Sequence, residues 1–276
     1  MITGIIGTGN MGTILVESLI TSGFLNQEQV MINNRTPFKA AVLKEKYPGI
    51  SIASSSIETA KSADLILLCV KPHEMHPLLE IMEPHLTREQ CLVTITSPLS
   101  PRQLEKTVRC SCARLIPSIT NRALSGASIL TFGESCTEKW QQLLHDLASS
   151  FSRPLQIETR YTRVTSDIVS CGPAFFSYLA RSFIDAAVLH TGINKEQATE
   201  LTQSMLIGLG ELLNQQHFTL PALQEKVCVK GGITGEGIKV LDEELEGVFK
   251  RLFEATEKKF EEDVGEVEEQ FGVPYY

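Results

Sequence analysis

Three glycines near the start of the chain have the types and spacing that bind nucleotide phosphates. Gly7, Gly9 and Gly12 form GxGxxG within the opening sequence MITGIIGTGNMG. An apolar strand pattern precedes them and an amphipathic helix pattern follows. In that context the first glycine permits a tight turn, the second lets a pyrophosphate approach the backbone, and the third lets the helix pack on the strand. The sequence therefore predicts a dinucleotide site comprising Gly7, Thr8, Gly9, Asn10, Met11 and Gly12.

A second polar group lies about 20 residues further on, where this motif places the residue that selects between NAD and NADP. Asn34, Arg35 and Thr36 follow the apolar run Val30–Ile32. A carboxylate here would favour NAD, whereas a guanidinium with neighbouring hydroxyl and amide donors can bind a 2′-phosphate. We therefore expect NADP(H) as the cofactor. The alternative is that Arg35 is only a solvated loop residue.

Two glycine-centred motifs interrupt helical patterns in the second half of the chain. Pro173, after Gly172, removes an amide donor and should kink its helix. The amides of Gly232, Ile233 and Thr234 stand at a predicted helix start, where they are suited to a small carboxylate. On spacing alone, ordinary kink and cap chemistry is an equally simple interpretation.

The elements that must position these residues divide the chain into two parts. In the first part, apolar runs alternate with amphipathic segments, which predicts α/β architecture with a doubly wound (Rossmann) parallel sheet. We expect this domain over residues 1–160. The predicted strands are Gly4–Ile6, Val30–Asn33, Ile50–Ala53, Leu65–Val70, Cys91–Ile95, Ala113–Ile116, Ser128–Phe132 and Leu155–Glu158. The predicted helices are Gly12–Ser22, Phe38–Tyr47, Ile57–Lys61, Met75–Glu83, Pro101–Lys106 and Glu138–Phe151.

Residues 161–276 lack strand patterns and predict an all-helical C-terminal domain. Its apolar stripes are too extensive for a monomer, so we expect a homodimer or a higher multiple of dimers. The predicted helices are Arg163–His190, Lys195–Gln215, Leu220–Val227, Thr234–Glu246 and Val248–Phe271.

Composition narrows the classes of partner. The chain of 276 residues is 42% hydrophobic and 21% charged, with a net charge of −8 that argues against nucleic acid. No apolar run is long enough for a membrane span, so no membrane partner is expected. The seven cysteines are scattered without metal-site spacing, which predicts no metal site and favours a reducing cytoplasm.

Taken in order, these motifs resemble the pyrroline-5-carboxylate reductase family over nearly the whole chain. The matching segments are the opening glycine motif, Asn34-Arg35-Thr36, Val70-Lys71-Pro72-His73, Arg114 to Pro117, Gly172-Pro173-Ala174 and Gly231-Gly232-Ile233-Thr234. The resemblance implies NADPH on the first domain, dimerisation through the helical one, and reduction of a cyclic imine to proline. It also implies further cofactor contacts at Ser56, Val70, Lys71, Pro72 and Ser97.

The resemblance further implies that the loop around Thr234 holds a small anionic substrate. Thr234 is the candidate catalytic residue, as a hydrogen-bonding partner near the ring nitrogen. Because the nitrogen of a protonated C=N bond already carries a positive charge, no strong protein acid is needed. The implied substrate contacts are Gly172, Val229, Lys230, Gly231, Gly232, Ile233 and Thr234.

The chain departs from the family in these loops. Residues 169–174 read VSCGPA where Ser-Gly-Ser-Gly-Pro-Ala is usual, and residues 227–232 read VCVKGG where Val-Thr-Ser-Pro-Gly-Gly is usual. Val229 replaces a hydroxyl, and Lys230 adds a cation that either compensates or selects another anion. These differences resemble a divergent, competence-linked branch of the family, whose members need not make proline.

The sequence therefore leaves two functions open: an NADP-dependent imine reductase, and an NADP-binding regulatory protein with weak or no reductase activity. The 3-hydroxyacid dehydrogenases share the two-domain plan but are associated with a catalytic lysine on the helix after the first domain. No lysine lies between Lys139 and Lys195, which argues against that class.

Overall fold

The computed structural model describes Met1 to Tyr276, and packing divides the chain into two compact units. The first unit comprises Met1–Pro173 and Ala255–Tyr276, and the second comprises Ala174–Glu254. Residues 161–173 and 255–276 thus pack with the sheet. The division by function into residues 1–160 and 161–276 remains a prediction.

The first unit is built on one sheet of eight strands in the order β3-β2-β1-β4-β5-β6-β7-β8. Strands β1 to β6 are parallel to one another, whereas β7 is antiparallel to β6 and β8 is parallel to β7. The doubly wound sheet expected from the sequence is therefore confirmed, except that β7 and β8 run antiparallel to the other six strands, whereas the sequence predicted a parallel sheet. The strands are β1 (Thr3–Ile6), β2 (Val30–Asn33), β3 (Ser51–Ile52), β4 (Leu65–Leu68), β5 (Cys91–Thr94), β6 (Ser111–Ile116), β7 (Ala127–Phe132) and β8 (Arg153–Gln156).

Helices of the first unit cover both faces of this sheet. Alternate residues of a strand point to opposite faces, so in β4 Leu65 and Leu67 join one apolar cluster while Ile66 and Leu68 join another. This is why the strands read as continuous apolar runs. The helices are α1 (Asn10–Thr21), α2 (Pro37–Lys46), α3 (Ser56–Ser62), α4 (Pro72–Met82), α5 (Pro101–Thr107), α6 (Glu138–Ser149) and α7 (Thr162–Ser166).

The remaining helices include all of the second unit, which contains no strand. They are α8 (Gly172–Thr191), α9 (Lys195–Asn214), α10 (Leu220–Val227), α11 (Ile233–Glu244) and α12 (Val248–Phe271). Helices α8 and α12 each continue from one unit into the other. The expected all-helical C-terminal part is confirmed, and none of its helices combines the length and apolar character that spanning a bilayer requires.

Several element boundaries differ from the sequence prediction, and two of these differences have identifiable physical reasons. The single helix expected from Arg163 is interrupted by a π-helical turn over Asp167–Cys171, directly before Pro173. Such a wide turn accommodates a proline that cannot donate its amide, so the predicted disruption takes this form. Strand β8 begins at Arg153 and contains Pro154, because it is the edge strand of the sheet, where a missing amide donor is tolerated.

Candidate functional site

The glycine turn joins β1 to α1 at the carboxyl end of the sheet. Gly7 has φ +98°, and a β-carbon there would lie 2.6 Å from the carbonyl oxygen of Cys69. A β-carbon at Gly12 would overlap the carbonyl oxygen of Gly7, whereas one at Gly9 would meet nothing within 4 Å. Gly7 and Gly12 are therefore needed for close packing of the turn, while Gly9 leaves space beside the backbone.

The start of α1 is open to an anion. Gly9 is its N-cap and has no side chain to accept hydrogen bonds from the first-turn amides, and the first turn contains no acidic residue. The partial positive charge of a helix start is favourable for phosphate. The empty space at Gly9 and these amides together fit a pyrophosphate.

A cleft of about 720 Å³ opens at this edge of the sheet. Ile6, Asn33 and Leu68, the last residues of β1, β2 and β4, are in register, so the loops after these strands converge. The strand order reverses between β1 and β4, the position at which doubly wound sheets bind ligands. The predicted residues that line the cleft are Gly7, Gly9, Asn34, Arg35, Thr36, Ser56, Val70 and Lys71.

Five other predicted cofactor residues do not line the cleft, although they are close in sequence to residues that do. Asn10 and Pro72 are the first residues of α1 and α4, and Met11 and Gly12 follow in α1. Thr8 lies in the glycine turn and is 4% exposed, and its Oγ1 has no hydrogen-bond partner.

Three charged or titratable residues of the cleft were not predicted from the sequence: Lys39, His73 and Glu74. Glu74 forms an ion pair with Arg35, with 2.7 Å between Oε1 and Nη1. Asn34 Nδ2 donates to the carbonyl oxygen of Thr36 at 3.1 Å, which orders the loop after β2. His73 is the last residue of the Val70-Lys71-Pro72-His73 motif and Glu74 follows it, so this motif was the available signal.

Ser97 lies in the loop after β5 and is held by three side chains. Its carbonyl oxygen accepts hydrogen bonds from Arg114 Nη1 at 3.0 Å and from the Tyr275 hydroxyl at 2.8 Å. Arg163 Nη1 donates to its Oγ at 3.4 Å. Arg114 and Tyr275 are buried, and Arg114 also donates to the Tyr275 hydroxyl. This fixed position suits the cofactor contact that the resemblance implies for Ser97.

Arg163 connects Ser97 to the π-helical turn. Its guanidinium donates to both carboxylate oxygens of Asp167, at 2.7 and 3.2 Å, and to Cys171 Sγ at 3.5 Å. Asp167 is 2% exposed and also accepts from Thr256 Oγ1 at 2.8 Å. A buried, bidentate pair of this kind holds the turn rigidly.

The thiols near this region are neutral. Burial raises the pKa of Cys69, which lines the cleft, to about 12. Burial also raises the pKa of Cys171, and this effect outweighs the opposing influence of Arg163. Since the thiolate is the nucleophilic form, neither residue is suited to covalent chemistry at neutral pH.

The predicted substrate residues fall in two places. Gly172 is buried in the first unit at the start of α8. The others lie together in the second unit, four in the loop before α11 and two, Ile233 and Thr234, at the start of that helix. They are Val229, Lys230, Gly231, Gly232, Ile233 and Thr234. Gly232 is the N-cap of α11 and has no side-chain hydrogen bond.

Within this loop Gly231 has φ +77°, a left-handed conformation that favours glycine. The amide of Gly232, which was predicted from the sequence to bind a carboxylate, instead donates to the carbonyl oxygen of Val229 at 2.9 Å. The amides of Gly231 and Ile233 have no acceptor in the loop. Val229 and Ile233 are strongly exposed, and Lys230 takes part in no ion pair.

Two family models match the chain. Residues 2–98 match "NADP oxidoreductase coenzyme F420-dependent", and residues 159–263 match "Pyrroline-5-carboxylate reductase dimerisation". The first match contains the glycine turn and the loop after β2. The second contains the π-helical turn and the loop before α11.

Solved structures with this fold include the Plasmodium falciparum pyrroline carboxylate reductase with NADP bound. It has a TM-score of 0.82 and 22% identity, and the match covers 97% of this chain and 98% of that one. A pyrroline-5-carboxylate reductase from Coxiella burnetii has a TM-score of 0.80 and 23% identity, with 97% of both chains covered.

Curated relatives include two from Bacillus subtilis (strain 168). ComE operon protein 4 is 50% identical over 270 residues, with 98% of this chain and 99% of the relative covered. This similarity confirms the resemblance to a divergent branch of the family that was expected from the sequence. Pyrroline-5-carboxylate reductase 3 is 30% identical over 259 residues, with 94% and 95% covered. Full-length similarity at these identities settles the classification. The chain belongs to the pyrroline-5-carboxylate reductase family.

Proposed function

We propose that this chain is an NADP-dependent oxidoreductase that reduces the C=N bond of a cyclic imino acid, pyrroline-5-carboxylate to proline. The observation that carries the proposal is the convergence of the glycine turn and Arg35 on one cleft at the open start of α1. Family membership supports the same reading, as does the NADP bound in the Plasmodium falciparum structure.

Bound NADPH would supply a hydride to the imine carbon. The C=N π electrons then move to a nitrogen that is already protonated, so the product amine needs no further acid at that step. The chain must orient the imine carbon, hold the carboxylate and offer a hydrogen bond near the nitrogen. We assign the carboxylate to the amides of Gly231 and Ile233 and the hydrogen bond to the hydroxyl of Thr234.

Ser97 has a positioning role in this proposal. Its loop is fixed by Arg114, Arg163 and Tyr275. We propose that this loop lies beside the nicotinamide. A rigid loop on that side limits the orientations of the ring, which is how a site can favour one geometry of hydride transfer.

The test is a steady-state assay of NADPH oxidation with pyrroline-5-carboxylate. We expect turnover by the wild type and a loss of about tenfold or more in kcat for Thr234→Val, which removes the hydroxyl at nearly constant shape. Thr234→Ser keeps the hydroxyl and should retain most of the activity. Turnover by Thr234→Val equal to that of the wild type would refute the role of Thr234.

Two observations favour a second function, an NADP-binding regulatory protein without effective reductase activity. Val229 presents an apolar side chain to solvent where the family usually has a serine, and ComE operon protein 4 is similar over the full length. Such a protein must bind NADPH and NADP⁺ with different affinities, because equal affinities provide no free energy for a switch. Unequal binding without turnover would favour this function.

We further infer self-association of the helical part as a homodimer or a multiple of dimers, supported by the dimerisation match over residues 159–263. The seven cysteines are all free, which supports a reducing, cytoplasmic location.

A further inference from the structure

One ion pair spans the cofactor cleft. Arg35 lies in the loop after β2, and Glu74 lies in the first turn of α4, which follows β4. Strand β1 lies between β2 and β4 in the sheet, and the glycine turn follows β1. The 2.7 Å contact between Arg35 Nη1 and Glu74 Oε1 therefore bridges the two sides of the glycine turn.

This pair occupies the guanidinium that the proposed function assigns to the 2′-phosphate of NADP. A phosphate that binds Arg35 must either displace the carboxylate of Glu74 or lie beside it, and two anions at one guanidinium repel each other. NADH has no 2′-phosphate, so its adenosine can enter while the ion pair stays intact.

Other cations of the cleft do not remove this conflict. Lys39 and Lys71 line the same cleft, and neither takes part in an ion pair. They attract any phosphate of the cofactor, including the pyrophosphate that NADPH and NADH share. Glu74 is the one carboxylate that lines the cleft. It pairs with Arg35, the residue on which selectivity for NADPH over NADH would depend.

We propose that Glu74 is a cofactor-selectivity residue that competes with the 2′-phosphate for Arg35. The preference of this chain for NADPH over NADH is consequently smaller than Arg35 alone would give. The inference rests on the proposed function in one respect, that this cleft binds the nucleotide.

The substitution Glu74→Gln isolates the charge. Glu74 Oε2 also accepts a hydrogen bond from the Lys71 amide at 3.4 Å in the capping box of α4, and a glutamine oxygen can accept the same bond. The matched control is Glu80→Gln, which removes a carboxylate from the same helix at a position outside the cleft lining.

The experiment measures dissociation constants of NADPH, NADH, 2′,5′-ADP and 5′-AMP for the full chain. For Glu74→Gln we expect NADPH and 2′,5′-ADP to bind about two- to fivefold more tightly, because the Arg35 side chain is 88% exposed and solvent screens the competing charge. NADH and 5′-AMP should change by less than about twofold, as should every ligand with Glu80→Gln.

Glu74→Gln in an Arg35→Gln background tests whether Glu74 affects cofactor selectivity through Arg35. There it should change the NADPH to NADH ratio by less than about twofold, since the residue for which the two anions compete is gone. An unchanged ratio in Glu74→Gln, or the full effect without Arg35, would overturn the inference while leaving the proposed function intact. Failure of the wild type to bind either dinucleotide would overturn both.

Discussion

At the scale of single residues, the glycines of the opening motif have different physical tasks. Gly12 is required because a β-carbon would overlap the carbonyl oxygen of Gly7, and Gly7 because of its positive φ. Gly9 has φ −75° and open space around it, so the fold itself tolerates a side chain there. The open space at Gly9 is therefore available to a bound group.

Gly9→Ala and Gly12→Ala should therefore affect different properties, the first NADPH affinity and the second stability. Gly9→Ala should keep the free energy of unfolding within about 0.5 kcal/mol of the wild type, while NADPH affinity falls about tenfold or more. Gly12→Ala should lower the free energy of unfolding by about 1–3 kcal/mol, as overpacking does. Denaturant unfolding and nucleotide titration check both variants. Full NADPH affinity in a stable Gly9→Ala protein would contradict the phosphate site.

Site residues are predictable from sequence only where a local pattern carries them. Gly7, Gly9 and Arg35 follow apolar strand patterns at recognisable spacings, and the structure brings them to one cleft. The pairing of Arg35 with Glu74 depends on β2 and β4 flanking β1, and sequence spacing does not contain that neighbourhood. The roles of Thr234 and its loop remain predictions.

At the scale of elements, the segment after α12 returns to the sheet unit. Tyr275 is 1% exposed, and its ring packs edge-on against Phe260 with centroids 5.6 Å apart. Gln103 Nε2 donates to the carbonyl oxygen of Val273 at 2.9 Å, and Glu268 accepts from the Tyr275 amide at 2.7 Å. This segment therefore fixes a hydroxyl against the Ser97 loop.

Tyr275→Phe should weaken that loop while keeping the ring. It removes a donor to the Ser97 carbonyl oxygen and an acceptor from the buried Arg114, so we expect a loss of about 2 kcal/mol in stability. If Tyr275 positions Ser97, the KM for NADPH should rise more than kcat falls. The adjacent Tyr276→Phe is the control, because Tyr276 is largely exposed. A loss of stability with an unchanged KM for NADPH would show that Tyr275 has only a structural role.

The strands were predictable because parallel strands covered on both faces are apolar throughout, as in Leu65–Leu68. The position of β8 and the direction of β7 were predicted wrongly, because both depend on contacts between strands. The position of β8 depends on its being an edge strand, which accommodates Pro154. The direction of β7 depends on its pairing with β6, which no pattern within Ala127–Phe132 encodes.

At the scale of the whole molecule, the second unit exposes large apolar side chains. Phe176 and Phe183 on α8 are each 65% exposed, and Ile207 on α9 is 68% exposed. Exposed apolar surface of this extent marks an interaction site. The dimerisation match over residues 159–263 indicates that the partner is a second copy of the chain.

Phe183→Glu should therefore shift the protein from dimer to monomer in sedimentation experiments, because it places a charge in an apolar interface. Phe38→Glu is the matched control, since Phe38 is equally apolar and exposed but lies on α2, outside the dimerisation match. A Phe183→Glu protein that sediments as the wild type does would show that this face is not the contact.

An isotope-transfer experiment shows whether a hydride passes from NADPH to an imino acid in this chain, as the claim of reductase activity requires. The protein is given pyrroline-5-carboxylate with each of the two NADPH forms deuterated at C4 of the nicotinamide, and the proline formed is analysed by mass spectrometry. We predict proline carrying one deuterium at the former imine carbon from one of the two forms. Absence of labelled proline with both forms, from protein that demonstrably binds NADPH, would contradict the claim and favour the regulatory function.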